Sequence, residues 1–250
     1  MPPRYEVIGV EGLPEIGAGE ALSILIARAA AAQGTPLAAA DLLVISQKIV
    51  SKAEGRIVRL AEITPSPETV AMAEELGRDA RLIEVILRES RRVVRRDKGV
   101  LIVETHQGWI CANAGVDQSN VDADTACLLP EDSDRSAREL RDGLRALTGH
   151  DLGIIIADTF GRPWREGLTN VAIGVAGLEP LKSYLGEKDP AGHVLQATIL
   201  ALADELASAA EPIMGKLDRI PVVIIRGLTW PRGESGSRPL LRDPARDLFR

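Results

Sequence analysis

Apolar side chains fall along this chain in two rhythms. In the first, Leu42-Leu43-Val44-Ile45, Gly153–Ala157 and Val222–Arg226 are short runs with almost no polar position, the signature of strands buried on both faces. Tyr5–Val10, Gly99–Glu104 and Asn170–Gly177 complete the strand set. Gly108–Ala112 reads as the return strand of a hairpin that turns at His106-Gln107-Gly108. The second rhythm is helical. Leu22, Leu25, Ile26 and Ala29 place a helix over about Ala21–Gln33, closed by Gly34-Thr35-Pro36. Helices are predicted over 66–77 and 79–91, the second with Leu82, Val85, Ile86 and Glu89 on one face. Ser133–Thr148 carries Leu140, Leu144 and Leu147, and Gly192–Met214 holds a long Ala- and Leu-rich helix. Such interleaving predicts a mixed fold of the α+β class, with one domain over residues 1–232 and a flexible tail or linker over 233–250.

Composition narrows the function classes. The 250 residues are 45% hydrophobic and 26% charged, so the chain has the apolar content to bury a core and is not a disordered segment. Aromatics are only 3%, which leaves the core to aliphatic side chains. A net charge of −6 argues against nucleic-acid binding, which needs clustered cations. A local basic pocket for one nucleotide remains compatible with it. Cys111 and Cys127 fit no Cys-x-x-Cys pattern, so reduced thiols in the cytoplasm are expected. No run of about 18 uncharged apolar residues is present, and no membrane span is expected. The basic run Arg91, Arg92, Arg95 and Arg96 reads as a solvated helix end in preference to a phosphate contact.

Two polar loops stand out because each leaves the C-terminal end of an apolar strand: Asn113…Asp117…Asn120, and Asp158-Thr159…Arg162…Arg165. A carboxylate fixed at a strand end suits Mg²⁺ or Mn²⁺, which take oxygen ligands and share them with phosphates. Thr159 adds an oxygen, and the Arg162 and Arg165 guanidinium groups suit phosphate or carboxylate. A single such Asp is more often an Asx-turn or a helix cap; two such loops leave the structural and the metal reading level. Neither a phosphate-cradling Gly-x-x-x-x-Gly-Lys loop nor a Gly-x-Gly-x-x-Gly fingerprint occurs. His106, His150 and His193 are scattered as turn or surface residues, Trp109 suits the core, and Trp164 suits the core or a ring-stacking pocket.

At these loops the sequence resembles the coenzyme F420-0:L-glutamate ligase family. The matching blocks are Gly12-Leu-Pro, Leu42-Leu-Val-Ile-Ser-Gln-Lys with Ser51-Lys52, Asn113–Asn120, Leu129–Asp134, Asp158–Arg165, Asn170–Gly174 and Met214-Gly-Lys216. They run in order over about residues 5–228. The resemblance implies a GTP-dependent ligase that joins L-glutamate to the phospholactyl carboxylate of the deazaflavin F420-0, with further γ-linked glutamates in some members. It implies Mg²⁺ or Mn²⁺, assistance by K⁺, and a two-lobed fold that forms an intertwined homodimer. Carried over by motif, Asp117, Asp158, Thr159 and Glu211 are implied metal ligands. Gly12, Leu13, Pro14, Glu15, Ser46, Gln47, Lys52, Asn120, Met214, Gly215 and Lys216 are implied nucleotide contacts. The implied chemistry passes the GTP γ-phosphoryl group to the carboxylate, and the glutamate amine then displaces phosphate from the acyl phosphate. Asp117, Asp158, Arg162 and Arg165 would carry it. Residues 238–250 resemble a linker that leads, in some relatives, to a flavin-reductase-like domain. A metal-dependent phosphohydrolase using the same two Asp residues is the competing reading.

Overall fold

The computed structural model describes residues 2–97 and 99–247. In chain order the elements are β1 (Glu6–Gly9), α1 (Leu22–Ala32), β2 (Leu42–Ser46), α2 (Gln47–Ala53), β3 (Ile57–Arg59), α3 (Pro67–Leu76), α4 (Ala80–Arg88), β4 (Ser90–Asp97), β5 (Val100–Thr105), β6 (Ile110–Ala112), β7 (Thr125–Cys127), α5 (Ser133–Thr148), β8 (Gly153–Arg162), β9 (Arg165–Ala176), β10 (Lys182–Ser183), β11 (Ile199–Leu200), α6 (Leu202–Met214) and β12 (Val222–Arg226). The main sheet has the order β1-β12-β2-β8-β9. Among the described residues its parallel pair is β2 with β8, and its other pairs are antiparallel.

Strand alternation explains the unbroken apolar runs. Leu43, Ile45, Ile154, Ile156, Val222 and Ile224 pack beneath α1 and α5. Leu42, Val44, Ile155, Val223 and Ile225 pack on the other face beneath α6. Every residue of such a run therefore lands in one core or the other, and none is left to be polar. A third cluster, including Leu60, Ile83, Ile86, Leu101 and Val103, joins α3 and α4 to the β4-β5-β6 sheet. No helix among the described residues is long and apolar enough to cross a membrane.

Four expectations are corrected. Arg91, Arg92, Arg95 and Arg96 lie on strand β4, not at a helix end. Each is matched to a carboxylate: Arg91 and Arg92 to Glu104, Arg95 to Asp97, Arg96 to Glu75. Charged side chains on an edge strand discourage further pairing, which suits a strand at the end of its sheet. Second, residues 158–167 are no loop. They extend the β8–β9 hairpin, with Asp158 opposite Val171 and Arg162 opposite Arg165, turning at Pro163-Trp164. This arm is exposed on every residue from Gly161 to Leu168, so no burial pattern marks it. Third, the helix expected from Gly192 begins only at Leu202, and 199–200 form β11. Fourth, the segment from Gly233 is fastened to the body. Ser237 N–H and Oγ–H both donate to Asp134, Glu234 pairs with Arg141, and Leu240 and Leu241 pack on the core. Leu248, Phe249 and Arg250 lie outside the described residues.

The free edge of β9 is sealed by side chains. Ala172 N–H donates to Asp204 of α6 (2.9 Å), Val175 N–H to Asp134 of α5 (2.8 Å), and Ser208 Oγ–H to the Asn170 carbonyl (2.9 Å). Gly174 lies so close to α5 that a Cβ there would stand 2.3 Å from the Ser133 carbonyl oxygen.

Candidate active site

The parallel pairing of β2 with β8 stops at Ser46 opposite Ala157, where β2 ends and β8 runs on into the hairpin arm. Ligands in sheets of this kind bind beyond the carboxyl ends of the strands. Beyond Ser46 the chain turns straight into α2, which carries Lys48 and Lys52. Beyond Ala157 comes Asp158. The segment carrying Asp117 crosses the same mouth, held by two backbone hydrogen bonds to Cys127. It is reached through three successive residues in left-handed conformation, Asn113, Ala114 and Gly115, with φ of 55°, 55° and 69°. Arg78 steadies this unusual run by donating to Asn113 Oδ1 at 2.7 Å.

The carboxylates of the mouth are held differently. Lys48 Nζ donates to Asp117 Oδ2 (2.6 Å) and to Ser119 Oγ (2.7 Å), and Ser119 N–H donates to Asp117 Oδ1 (2.8 Å). Burial works to raise the Asp117 carboxyl, but the bonds from Lys48 and Ser119 outweigh it and hold it below the usual range. Lys216 pairs with Glu211 (2.7 Å) and donates to Thr159 Oγ1 (2.8 Å), while Thr159 donates to Asn170 Oδ1 (2.8 Å). Asp158 makes no ion pair among the described residues. Burial pushes its carboxyl up to about 6, aided by the nearby charge of Asp117 and opposed by the Thr159 N–H, Lys48 and Lys216.

An uncompensated half-buried carboxylate beside a second one is what a hard divalent cation would use. Among the described residues no group of three or more His, Cys, Asp or Glu side chains forms a closed metal cage. Mg²⁺ needs none, because it is bound through one or two carboxylates together with waters and substrate phosphates. Asp158 and Asp117 would serve such an ion as charged ligands with Thr159 beside them, whereas Glu211 is taken up by Lys216. Cys111 also lies close to Asp158; burial first, then that carboxylate, pushes its thiol up to about 12. Cys127 is likewise raised by burial. Both thiols stay protonated near neutrality, so neither is an activated nucleophile.

Gly12 and Leu13 line a cavity of about 290 Å³ together with Glu11, Asp218, Arg219 and Ile220. Glu15, at the end of the same loop, pairs with Lys52, which holds its carboxyl below the usual range. Gly215 takes φ 55° and ψ −168°, a region essentially reserved for glycine, and so re-aims the chain from α6 toward Asp218 and Arg219. Asn120 is exposed in left-handed conformation beside the Asp117 loop. Not every expected contact faces the mouth. Gln47 is buried and accepts from Ser51 Oγ, and Met214 is buried against the Asn170 amide. Arg162 and Arg165 sit out on the hairpin arm, three and six residues along the chain from Thr159. Asn170, Asp218 and Arg219 have no role predicted from the sequence, and Lys48 only a place among the polar residues at a strand mouth, where ligand contacts are common. Lys48 carries a visible signal, a cation two residues beyond a buried strand; the other three depend on tertiary contacts.

Similarity to known proteins extends over nearly the whole chain. A family model described as F420-0:Gamma-glutamyl ligase matches residues 12–227. A protein of Methanothermobacter thermautotrophicus named coenzyme F420:L-glutamate ligase is 48% identical, with 98% of each chain covered. Proteins of the same name from Methanopyrus kandleri and Methanocaldococcus jannaschii are 47% and 41% identical, each covering 99% of this chain and 97% of their own.

Proposed function

This chain belongs to the F420-0:gamma-glutamyl ligase family, and from that premise we propose that it ligates L-glutamate to coenzyme F420-0 at the expense of GTP. The observation that carries the reading is the meeting of Asp117, Asp158, Lys48 and Lys216 where the pairing of β2 with β8 stops. A carboxylate does not acylate an amine near neutral pH, so it must first be activated. The γ-phosphoryl group of GTP passes to the F420-0 carboxylate, giving an acyl phosphate and GDP. The glutamate amine then attacks the acyl carbon, the amide forms and phosphate leaves. Lys48 and Lys216 bring positive charge to the transferring phosphoryl group, and Lys52 to the nucleotide. A divalent ion held by Asp117 and Asp158 would supply Lewis-acid neutralisation of phosphate oxygens. Arg162 and Arg165 are assigned to the acidic tail of the acceptor, for which guanidinium forks are suited.

In the test, the protein is incubated with F420-0, glutamate, GTP and Mn²⁺, and product masses are read. A glutamate-sized mass increase together with GDP is expected. GTP consumption in the absence of glutamate and F420-0, with no new amide, would favour a phosphohydrolase instead.

The nucleotide loop also bears on base choice. Glu11 and Asp218 bring two carboxylates to the cavity walled by Gly12 and Leu13. Guanine offers N1–H and a 2-amino group to such acceptors, whereas adenine presents a bare N1. GTP is expected to bind at least about tenfold more tightly than ATP. Competition binding checks this, and equal affinities would remove guanine selectivity.

A homodimer completes the reading. The Ala-rich helix gives it no support, because α6 buries Ala203, Leu206, Ala207, Ala210 and Met214 on one face against its own chain. Support comes from the β8–β9 arm, where Trp164 is 81% and Leu168 67% exposed. Apolar side chains on a projecting hairpin suit burial by a second copy. Light scattering at low micromolar protein is expected to give twice 26.8 kDa. Leu168→Glu should shift that mass toward the monomer; a monomeric, active wild type would refute the dimer.

A further inference from the structure

A second cavity, of about 250 Å³, lies between the root of the β8–β9 arm, the start of β6, α6 and the C-terminal segment. Its walls include Trp109, Phe160, Val171, Asp204, Leu240 and Leu241. None of these residues has a part in the site described above. We infer that this cavity seats the planar ring system of the acceptor, with Asp204 accepting a hydrogen bond from the ring imide N–H. The inference rests on the ligase reading of the neighbouring site and identifies where its second substrate lies.

Position is the first argument. Phe160 stands two residues after Asp158 on β8, and Val171 is the residue paired with Asp158 across the hairpin. Alternation along a strand puts Asp158, Phe160 and Val171 on one face. Two residues of the cavity wall are therefore neighbours of Asp158 on the same face of the hairpin. Size is the second. Pockets for whole ligands run to about 300–1,000 Å³, so a 250 Å³ cavity suits one ring system of a larger molecule whose tail lies elsewhere. Wall chemistry is the third. The chain has only seven aromatic residues, and two of them, Trp109 and Phe160, line this one cavity beside two leucines. Aromatic faces against a flat heterocycle favour stacking.

Of the charged side chains on the lining, Asp204, Arg242 and Asp247, Asp204 is the one on α6 beside the sheet edge and supplies the group that would fix orientation. Its Oδ1 is engaged by Ala172 N–H, and no cation pairs with it among the described residues. Burial raises its carboxyl above the usual range, opposed by that N–H. A half-buried carboxylate with one oxygen uncommitted is an acceptor in need of a donor. The pyrimidinedione ring of a deazaflavin presents one such donor, an imide N–H between two carbonyl groups. GTP would have no claim on this cavity if it occupies the loop of Gly12 and Leu13.

The experiment titrates purified F420-0 into metal-free, nucleotide-free protein and follows the deazaflavin fluorescence. Wild type is compared with Leu241→Trp, which fills the cavity, and Asp204→Asn, whose amide oxygen keeps the bond to Ala172. Each variant is expected to bind F420-0 at least about tenfold more weakly, with KM for GTP within twofold of wild type. F420-0 methylated at the imide nitrogen should lose affinity for wild type but little further for Asp204→Asn. Unchanged F420-0 affinity in Asp204→Asn, or an equal loss of GTP affinity, would overturn the seat even if Leu241→Trp fails to fold. Failure of the wild type itself to bind or ligate F420-0 would instead overturn the ligase reading, and the seat with it.

Discussion

Asp158→Asn is expected to abolish ligation while making the metal-free protein harder to unfold near pH 8. The two effects have one cause. Asp158 is ionised at that pH inside a partly desolvated mouth, with Asp117 close by and no ion pair of its own among the described residues. Its folded value of about 6 lies above the ordinary 3.8, so the folded chain binds the proton more tightly than the unfolded chain does. The favourable contribution is therefore complete below about pH 4 and is lost as pH rises through about 6. At pH 8 the ionised group costs on the order of 1–3 kcal/mol, since each tenfold change in proton affinity is worth about 1.4 kcal/mol. Asparagine removes that cost. It also removes the charge that a divalent ion needs, and turnover should fall by about a hundredfold or more. Thermal melts of chelator-treated protein at pH 5 and pH 8 check the first half. The variant should gain at pH 8 and keep only about half of that gain at pH 5. A lower melting temperature than wild type at pH 8, or near-normal turnover, would refute the assignment. By the same sign argument, Mn²⁺ binding by the wild type should weaken as pH falls through about 6.

Gly174→Ala is expected to cost more stability than any other single methyl added to the main sheet. The new Cβ would stand 2.3 Å from the Ser133 carbonyl oxygen and 2.6 Å from its carbonyl carbon. These are backbone atoms at the N-terminus of α5, and they cannot rotate away as a side chain would. The next residue of α5, Asp134, is itself tied to Val175 and Ser237, so the helix end is fixed on both sides. Relief requires β9 and α5 to separate, at a cost of about 3 kcal/mol or more. Urea unfolding of the variant measures it; a loss under about 1 kcal/mol would show that the helix end gives way. Protein that still folds should keep its affinity for GTP, because neither Gly174 nor Ser133 lines the cavity of Gly12 and Leu13.

The contrast between these two residues shows what the sequence could reveal. Asp158 was legible because a carboxylate immediately after a fully apolar strand stands at the mouth of a sheet. The strands Leu42–Ser46 and Val222–Arg226 were legible for a related reason, with burial on both faces written into nearly every position. Helices α3 and α5 announce their ends, with Pro67 opening α3 and left-handed Gly77 and Gly149 closing the two. Gly174 carries no such mark, since its necessity arises only when α5 arrives from about forty residues away. The hairpin arm hid itself. Gly161, Pro163 and Gly167 read as loop residues, and with both faces in solvent there was no apolar alternation to argue otherwise. β4 is illegible as a strand because its arginines alternate with nothing buried; apart from Asp97 on β4 itself, their partners, Glu104 and Glu75, come from other elements. Lys48 was visible as a cation just past a buried strand, but its pairing with Asp117, some seventy residues on, was not.

The strand order carries a consequence for the chain as it is made. β12 lies between β1 and β2, so the first two strands to leave the ribosome touch in the finished sheet only through the last. β2 meets its other neighbour, β8, more than a hundred residues later. Until residue 226 has emerged, β1 has no strand to pair with, and the apolar run Leu42–Ile45 has at best one paired edge. Pairings this distant in sequence form slowly. A nascent chain of this protein must therefore keep one edge of an apolar strand unpaired until β12 emerges, and its yield in a cell should depend on whatever shelters that edge in the interval.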